Sequence, residues 1–196
     1  MIRVWRRFFR VRRHLIWKSS CDIAEYHVSR EGESYLILDA SNLDEFSAVV
    51  EELRRLSSEA EDYISDVRDG KIVALVIMQG GEIVHYSYVF LKNRSACILG
   101  LSRDTALIGN AYTIPSYRRN GCQARSVVLR AAIARDRGFS FVAAETSLHN
   151  IASQRGLTKG GMTFVGRLDL AVVLSFVVIR WRRPLGSTML GICLCL

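Results

Sequence analysis

Proline is scarce in this chain, two residues in 196, and no low-complexity tract interrupts it. That shortage of breakers excludes a Pro-rich disordered segment or a string of small domains joined by linkers. With 49% hydrophobic and 23% charged residues, the chain has apolar surface for one well-buried core and too little length for two. Cysteine supplies no framework either. Cys21, Cys97, Cys122, Cys193 and Cys195 are odd in number, scattered, and show no C-x-x-C pair and no histidine at ligand spacing. A disulfide scaffold and a zinc site are thereby excluded, and reduced thiols in a cytoplasmic protein without a bound metal are expected. Long hydrophobic runs are missing too. The most apolar stretch, residues 168–179, contains Asp169 and is too short to span a bilayer, and no apolar run of signal-peptide length follows the basic start. No transmembrane helix is predicted.

Acidic residues are absent from positions 1–18, which carry +7; residues 19–69 carry −10 and residues 70–196 carry +11, for a net charge of +8. Beyond the basic head the two blocks nearly cancel, and no groove-reading motif is present, so a nucleic-acid partner is excluded. An acidic face beside a basic one suits a cationic acceptor and a polyanionic cofactor. Within the head, arginines alternate with Trp5, Phe8, Phe9, Val11, Leu15, Ile16 and Trp17, and the apolar positions do not collect on one helical face. Such a segment packs on its own domain, the commoner outcome, or lies on an anionic membrane surface as a peripheral contact.

Residues 35–38 read as a first strand, after which Ser41 or Asn42 is placed to cap a helix carrying Leu43, Phe46, Val49, Val50 and Leu53 at helical spacing. A second helix is expected over 58–67. The β-rich runs 71–78 and 82–91, joined at Gly80-Gly81, read as an antiparallel hairpin. Further strands are expected over 106–114, 139–144, 163–170 and 172–181, with helices over 121–137 and 148–158. The order β-α-α-β-β-β-α-β-α-β-β describes an α/β protein with a mixed central sheet of about seven strands. Residues 1–34 are read as a basic, apolar N-terminal extension, 35–183 as the domain, and 184–196 as an apolar tail.

The chemistry concentrates in Tyr112-Thr113-Ile114-Pro115-Ser116-Tyr117-Arg118-Arg119-Asn120-Gly121-Cys122-Gln123-Ala124, a strand that runs through a basic turn into a helix. The first amides of a helix have no internal partner and sit at the positive end of its dipole, so a turn that aims them outward makes an anion site. Arg118 and Arg119 add charge, and Gly121 lets a phosphate approach the backbone.

This segment resembles the signature of the GNAT superfamily of N-acetyltransferases, V-x-P-x-Y-R-G-x-G-x-G/A, with Thr113 at the Val place, followed by Pro115, Tyr117, Arg118 and Gly121. Arg119 replaces a Gly of the pattern, and Gln123 replaces its last Gly or Ala. A second block, N-x-x-A/S-x-x-L-Y-x-x-x-G-F, is matched by Asn150, Ser153, Gly161 and Met162 at the right spacing, and the two blocks sit in a resemblance covering roughly residues 35–182.

The resemblance implies fourth and fifth strands that are parallel and splayed, with the pantetheine arm of acetyl-CoA or another acyl-CoA in the gap. Thr113, Ile114, Arg118, Arg119, Asn120, Gly121, Cys122, Gln123 and Ala124 would then bind the cofactor, and Asn150 and Ser153 would lie against its arm. It further implies direct attack of a primary amine, on a small molecule or amino sugar, on the thioester. The catalytic residues do not carry over as a set. Leu157 stands where the family often has a tyrosine, and no carboxylate occupies the fourth strand. Glu145 and His149 are the nearest candidates for a base, as readily explained as groups flanking a helix start, and Tyr112 is a candidate proton donor. Two other readings remain: a membrane-surface transferase of longer acyl chains docked by the head, and an acyl-CoA-binding module without turnover. A homodimer is compatible with all three.

Overall fold

The structure, a computed structural model, describes residues 9–23, 30–92, 96, 99–173, 177–184 and 189–194, with side chains described from Arg13 to Ala171 within those spans. In chain order the elements are β1 (Phe9–Ser20), β2 (Glu33–Leu38), α1 (Ser47–Leu56), α2 (Ala60–Arg68), β3 (Ile72–Gln79), β4 (Glu82–Phe90), β5 (Thr105–Thr113), a 3-10 turn (Pro115–Tyr117), α3 (Cys122–Asp136), β6 (Phe141–Thr146), α4 (Ile151–Lys159), β7 (Thr163–Val173), β8 (Val177–Pro184) and β9 (Met189–Leu194). The seven strands and four helices expected from the sequence are β2 to β8 and α1 to α4. Two more strands, β1 and β9, come from the chain ends.

One sheet of order β2-β3-β4-β5-β6-β1-β7-β8-β9 holds them all. Among the described strands only β5 and β6 run parallel; the other neighbours are antiparallel. The head is therefore not an appendage leading into the domain. β1 fills an interior place, in register with β6 from Leu15↔Thr146 to Ser20↔Phe141 and with β7 from Phe9↔Val173 to Lys18↔Thr163. Its alternation of basic and apolar residues has the period of a strand, whose successive side chains point to opposite faces. Trp17 is buried and packs its ring 5.2 Å from that of Phe164. The membrane contact expected of the head rests partly on Trp5 and Phe8, which lie outside the described residues. No helix among the described residues is long and apolar enough to cross a membrane.

Each sheet face carries its own core. Leu38, Leu53, Ile64, Val67, Val76, Tyr88, Leu107 and Leu168 pack with α1 and α2 on one face. On the other, Trp17, Leu75, Val89, Ile108, Val127, Ala131, Ala144 and Leu157 pack with α3 and α4. The first helix begins later than expected. Asn42 does not cap it, because its side chain accepts from the Asp39 amide at 3.0 Å and donates to the Ile37 carbonyl at 2.9 Å, which closes a turn instead. The helix starts at Ser47 with no side-chain cap.

α3 and α4 approach closely because Gly156 and Gly160 face α3. A Cβ on Gly160 would stand 2.6 Å from Cβ of Val127 and 3.0 Å from the Ala124 carbonyl oxygen. Gly160 has an ordinary φ of −78°, so space is the only obstacle to a side chain there. Gly160→Ala is expected to cost about 1–3 kcal/mol, as overpacking does. The urea unfolding midpoint reads this directly, and an unchanged midpoint would mean that the helices part without penalty.

Candidate active site

β5 and β6 pair at only four positions, from Thr105↔Phe141 to Ile108↔Ala144, and then part. A bulge in β5 accompanies the parting. The register between β4 and β5 shifts between Tyr86 and Tyr88, opposite Asn110, whose φ of +47° marks a bulge that bends β5. Past that point Glu145 and Thr146 of β6 go on pairing with β1 along their other edge. The backbone edge of Gly109–Thr113 that faces β6 is thus left without a strand partner, next to a groove of about 850 Å³ lined by Gly109 to Thr113, Ala144 to Ser147, and the start of α3. Asn110 Nδ2 donates to the Tyr63 hydroxyl of α2. Burial and then Glu59 push that hydroxyl's pKa up to about 12, so it stays protonated.

The basic turn lies at the α3 end of the groove. Arg118 is extended, Arg119 and Gly121 take left-handed φ values of +69° and +76°, and α3 follows at Cys122. No hydrogen bond to a described residue satisfies the amides of Arg119 to Ala124; the first helical bond runs from Arg125 N to Gly121 O at 3.1 Å. Left-handed residues between extended and helical ones turn successive N–H groups to one side, the geometry of an anion nest at a positive helix end. Arg125 braces the turn by donating to Asn120 O at 2.6 Å and to Glu33 Oε1 of β2 at 2.5 Å. Arg118 folds back, its Nε donating to Thr113 O at 3.2 Å and its guanidinium lying 5.7 Å from the Tyr112 ring centre.

Among the expected cofactor residues, Thr113, Arg118, Arg119, Gly121, Cys122, Gln123, Ala124, Asn150 and Ser153 line the groove. Ile114 and Asn120 do not: the Ile114 amide is bonded to Val84 O at 3.0 Å, and Asn120 gives its carbonyl to Arg125. The Gln123 side chain turns to α4, where its Cγ would lie 2.3 Å from a Cβ on Gly156. The glycine opposite it, more than a small residue at position 123, is what makes room there. Asn150 caps α4, its Oδ1 accepting from the Ser153 amide at 3.0 Å. The Cys122 thiol is buried, and burial raises its pKa, which disfavours it as a nucleophile.

Strand alternation sorts the reactive groups by face. Tyr112 stands opposite Tyr86, a member of the α1/α2-side core, and Glu145 stands opposite Ile16, which packs on that same core. Both line the groove and stand on the sheet face that carries α1 and α2. His149 does not join them; it is exposed on the turn before α4 and is absent from the groove wall. The acids of α1 and α2 are largely engaged. Glu51 and Glu61 share Arg54, Glu52 meets Arg55 at 3.1 Å, and Glu59 accepts from Tyr63 at 3.4 Å.

Two groups in the wall were not singled out from the sequence. Arg130 of α3 is fully buried, bonds to Ser126 O at 3.1 Å, Ser126 Oγ at 3.2 Å and Gly109 O at 3.3 Å, and pairs with no carboxylate among the described residues. Burial depresses its pKa to about 9, and its charge, after burial itself, helps hold neighbouring His85 neutral with a pKa of about 3. The signal was legible, since Arg130 sits on the helical stripe of Val127, Ala131 and Ala134, where an arginine is out of place. The second group is His14 of β1, which nothing in the sequence places near residue 145.

No protein-family model matches the chain, and no curated protein matches it in sequence. Solved structures do. A GCN5-related N-acetyltransferase-like protein from Streptococcus suis superposes with a TM-score of 0.56 at 13% identity, over 87% of this chain and 65% of that one. A GNAT-family acetyltransferase from Colwellia psychrerythraea superposes with a TM-score of 0.55 at 15% identity, over 80% of this chain and 53% of that one. The fold is the GNAT fold. An aminoglycoside acetyltransferase from an uncultured soil metagenomic sample, in complex with trehalose, gives a TM-score of 0.50 at 13% identity over 66% of this chain and 87% of that one. The chain spans between half and two thirds of the length of the first two proteins, so the GNAT likeness is one of architecture, with the splayed strands and the basic turn where the sequence blocks placed them.

Proposed function

We propose that this chain transfers an acyl group, most simply acetyl, from coenzyme A to the primary amine of a small molecule or amino sugar. The observation that carries the reading is the groove itself: an unpaired β5 edge that ends in an unsatisfied amide nest on a GNAT fold. The residues present fit the cofactor. The amides of Arg119 to Ala124, with the charge of Arg119, would hold a diphosphate, and the Gly109–Thr113 edge would accept an amide-bearing arm as a strand. Bound acyl-CoA would supply the activated thioester carbonyl.

The protein's part is to orient the amine, take its proton and stabilise developing charge. Glu145 lies on the face of the groove opposite the nest side, so an amine approaching from α1 and α2 meets a carboxylate. Tyr112 flanks the same opening as a hydroxyl donor. Leu157, buried in the α3/α4 core, offers no hydroxyl to a departing thiolate. The uncompensated charge of Arg130, set against the wall beside Gly109, suits that thiolate instead. Because a buried charge without a partner is costly, Arg130→Met is expected to leave the melting temperature unchanged or higher while lowering kcat about tenfold or more. Equal loss of stability and activity would assign Arg130 to structure alone.

Thiol release from acetyl-CoA, screened against a panel of amines and amino sugars, tests the reading, with Arg118→Ala as the control for cofactor binding. A binding module without turnover is the second reading, favoured by Leu157 and by the absence of a carboxylate on β5. Tight CoA binding with no thiol release across the panel would establish it.

A further inference from the structure

β1 carries a histidine to the wall of the groove. Nδ1 of His14 meets Oε2 of Glu145 across the β1–β6 boundary, on the sheet face that carries α1 and α2. The strand order sets which group stands nearer the reaction. β6 lies between β5 and β1, so Glu145 borders the splayed gap and His14 stands behind it. Exposure agrees, with the Glu145 side chain at 34% and that of His14 at 16%. Nε2 of His14 and Oε2 of Glu145 are both buried with no hydrogen bond to a described residue, so the ion-pair contact of His14 Nδ1 with Oε2 is the one polar engagement that the structure gives the two groups.

A glutamate has three side-chain torsions to fix, and holding a carboxylate in one productive orientation is entropically costly without a donor behind it. A tether between β1 and β6 is not what the pair is needed for, since the backbone ladder from Leu15↔Thr146 to Ser20↔Phe141 already joins these strands. We propose that His14 is the positioning residue of the base: its Nδ1–H donates to Oε2 of Glu145 and so presents Oε1 to the amine. This rests on the acyltransferase reading above. In the step it serves, the amine nitrogen forms a bond to the thioester carbonyl carbon. The amine proton passes to Oε1 of Glu145, the C–S bond breaks on collapse, and its electron pair leaves with the thiolate, which takes a proton from solvent.

The experiment compares full-length wild type with His14→Leu, His14→Asn, His14→Gln and Glu145→Gln, measuring kcat, amine KM, the Kd of CoA and the melting temperature of each. Asparagine puts an amide N–H near the place of Nδ1, whereas glutamine puts it near that of Nε2. Glu145→Gln is expected to lower kcat about 100-fold and His14→Leu about 10- to 100-fold, each with CoA affinity within about twofold, the range of lost general-base catalysis. His14→Asn is expected to return kcat to within about fivefold of wild type, and His14→Gln to remain as low as His14→Leu. Wild-type kcat in His14→Leu, or an Asn variant no better than Gln, overturns the proposal. If His14→Leu does not fold, the Asn and Gln pair decides. Failure of the wild type to bind CoA or to release thiol overturns the acyltransferase reading and this inference with it, a result separate from one in which the wild type turns over and the His14 variants do so equally well.

Discussion

A chain shortened to begin at Cys21 is expected to lose its cooperative unfolding transition altogether. Removing residues 1–20 takes β1 out of the sheet interior and strips two ladders at once, those with β6 and with β7. It also uncovers Phe164, leaves the apolar floor beneath Trp17 open to water, and creates two new unpaired strand edges. The Trp17 side chain alone represents about 2–3 kcal/mol of burial. Set against a typical domain stability of about 5–15 kcal/mol, the lost ladders and packing leave β7, β8 and β9 without a strand partner joining them to the rest of the sheet. Thermal melting followed by far-UV circular dichroism reads the outcome, and a shortened chain that melts cooperatively within a few degrees of the full one would contradict the strand order. A peptide of residues 9–20 supplied in trans should restore part of the transition.

The second large effect is expected at Gly121. Its φ of +76° is one that aspartate and asparagine tolerate better than most residues, so Gly121→Asp and Gly121→Asn should both fold. They differ in charge. A Cβ at 121 would stand 3.2 Å from Nη1 of Arg125, so an aspartate there sets a negative charge beside the nest and repels a diphosphate; Gly121→Asp should weaken CoA binding about 100-fold or more, and Gly121→Asn about tenfold through lost close approach. Titration calorimetry measures both, and the gap between them should narrow as salt rises. Equal affinity in the two variants would show that the turn does not hold the diphosphate.

Element type was legible wherever the hydrophobic period was clear. The helix expected over 121–137 and the hairpin at Gly80-Gly81 read correctly because local spacing determines them. The groove was legible through its punctuation: Pro115 after a strand and Gly121 before a helix describe a turn that bends the chain and frees amides. What escaped was long-range pairing. The alternation in residues 9–18 contains a strand, but its positive charge also suits an anionic membrane surface, and nothing local says that these residues pair with β6 and β7. His14 was invisible for the same reason, since its partner lies more than a hundred positions away, and only sheet order brings the two together. Asn42 illustrates the reverse failure: a good capping residue closes a local turn instead, its side chain bonded to the Asp39 amide and the Ile37 carbonyl at the end of β2.

The place of β1 also sets a timetable for synthesis. β1 can dock only after β6 and β7, which follow it by more than a hundred positions, so its pairing closes a long loop. Until then an arginine-rich ribbon with tryptophan and phenylalanine waits without a partner, beside a half-built sheet with open edges. Nascent chains of this protein should therefore be slow to mature and dependent on protection against aggregation until β6 and β7 have emerged.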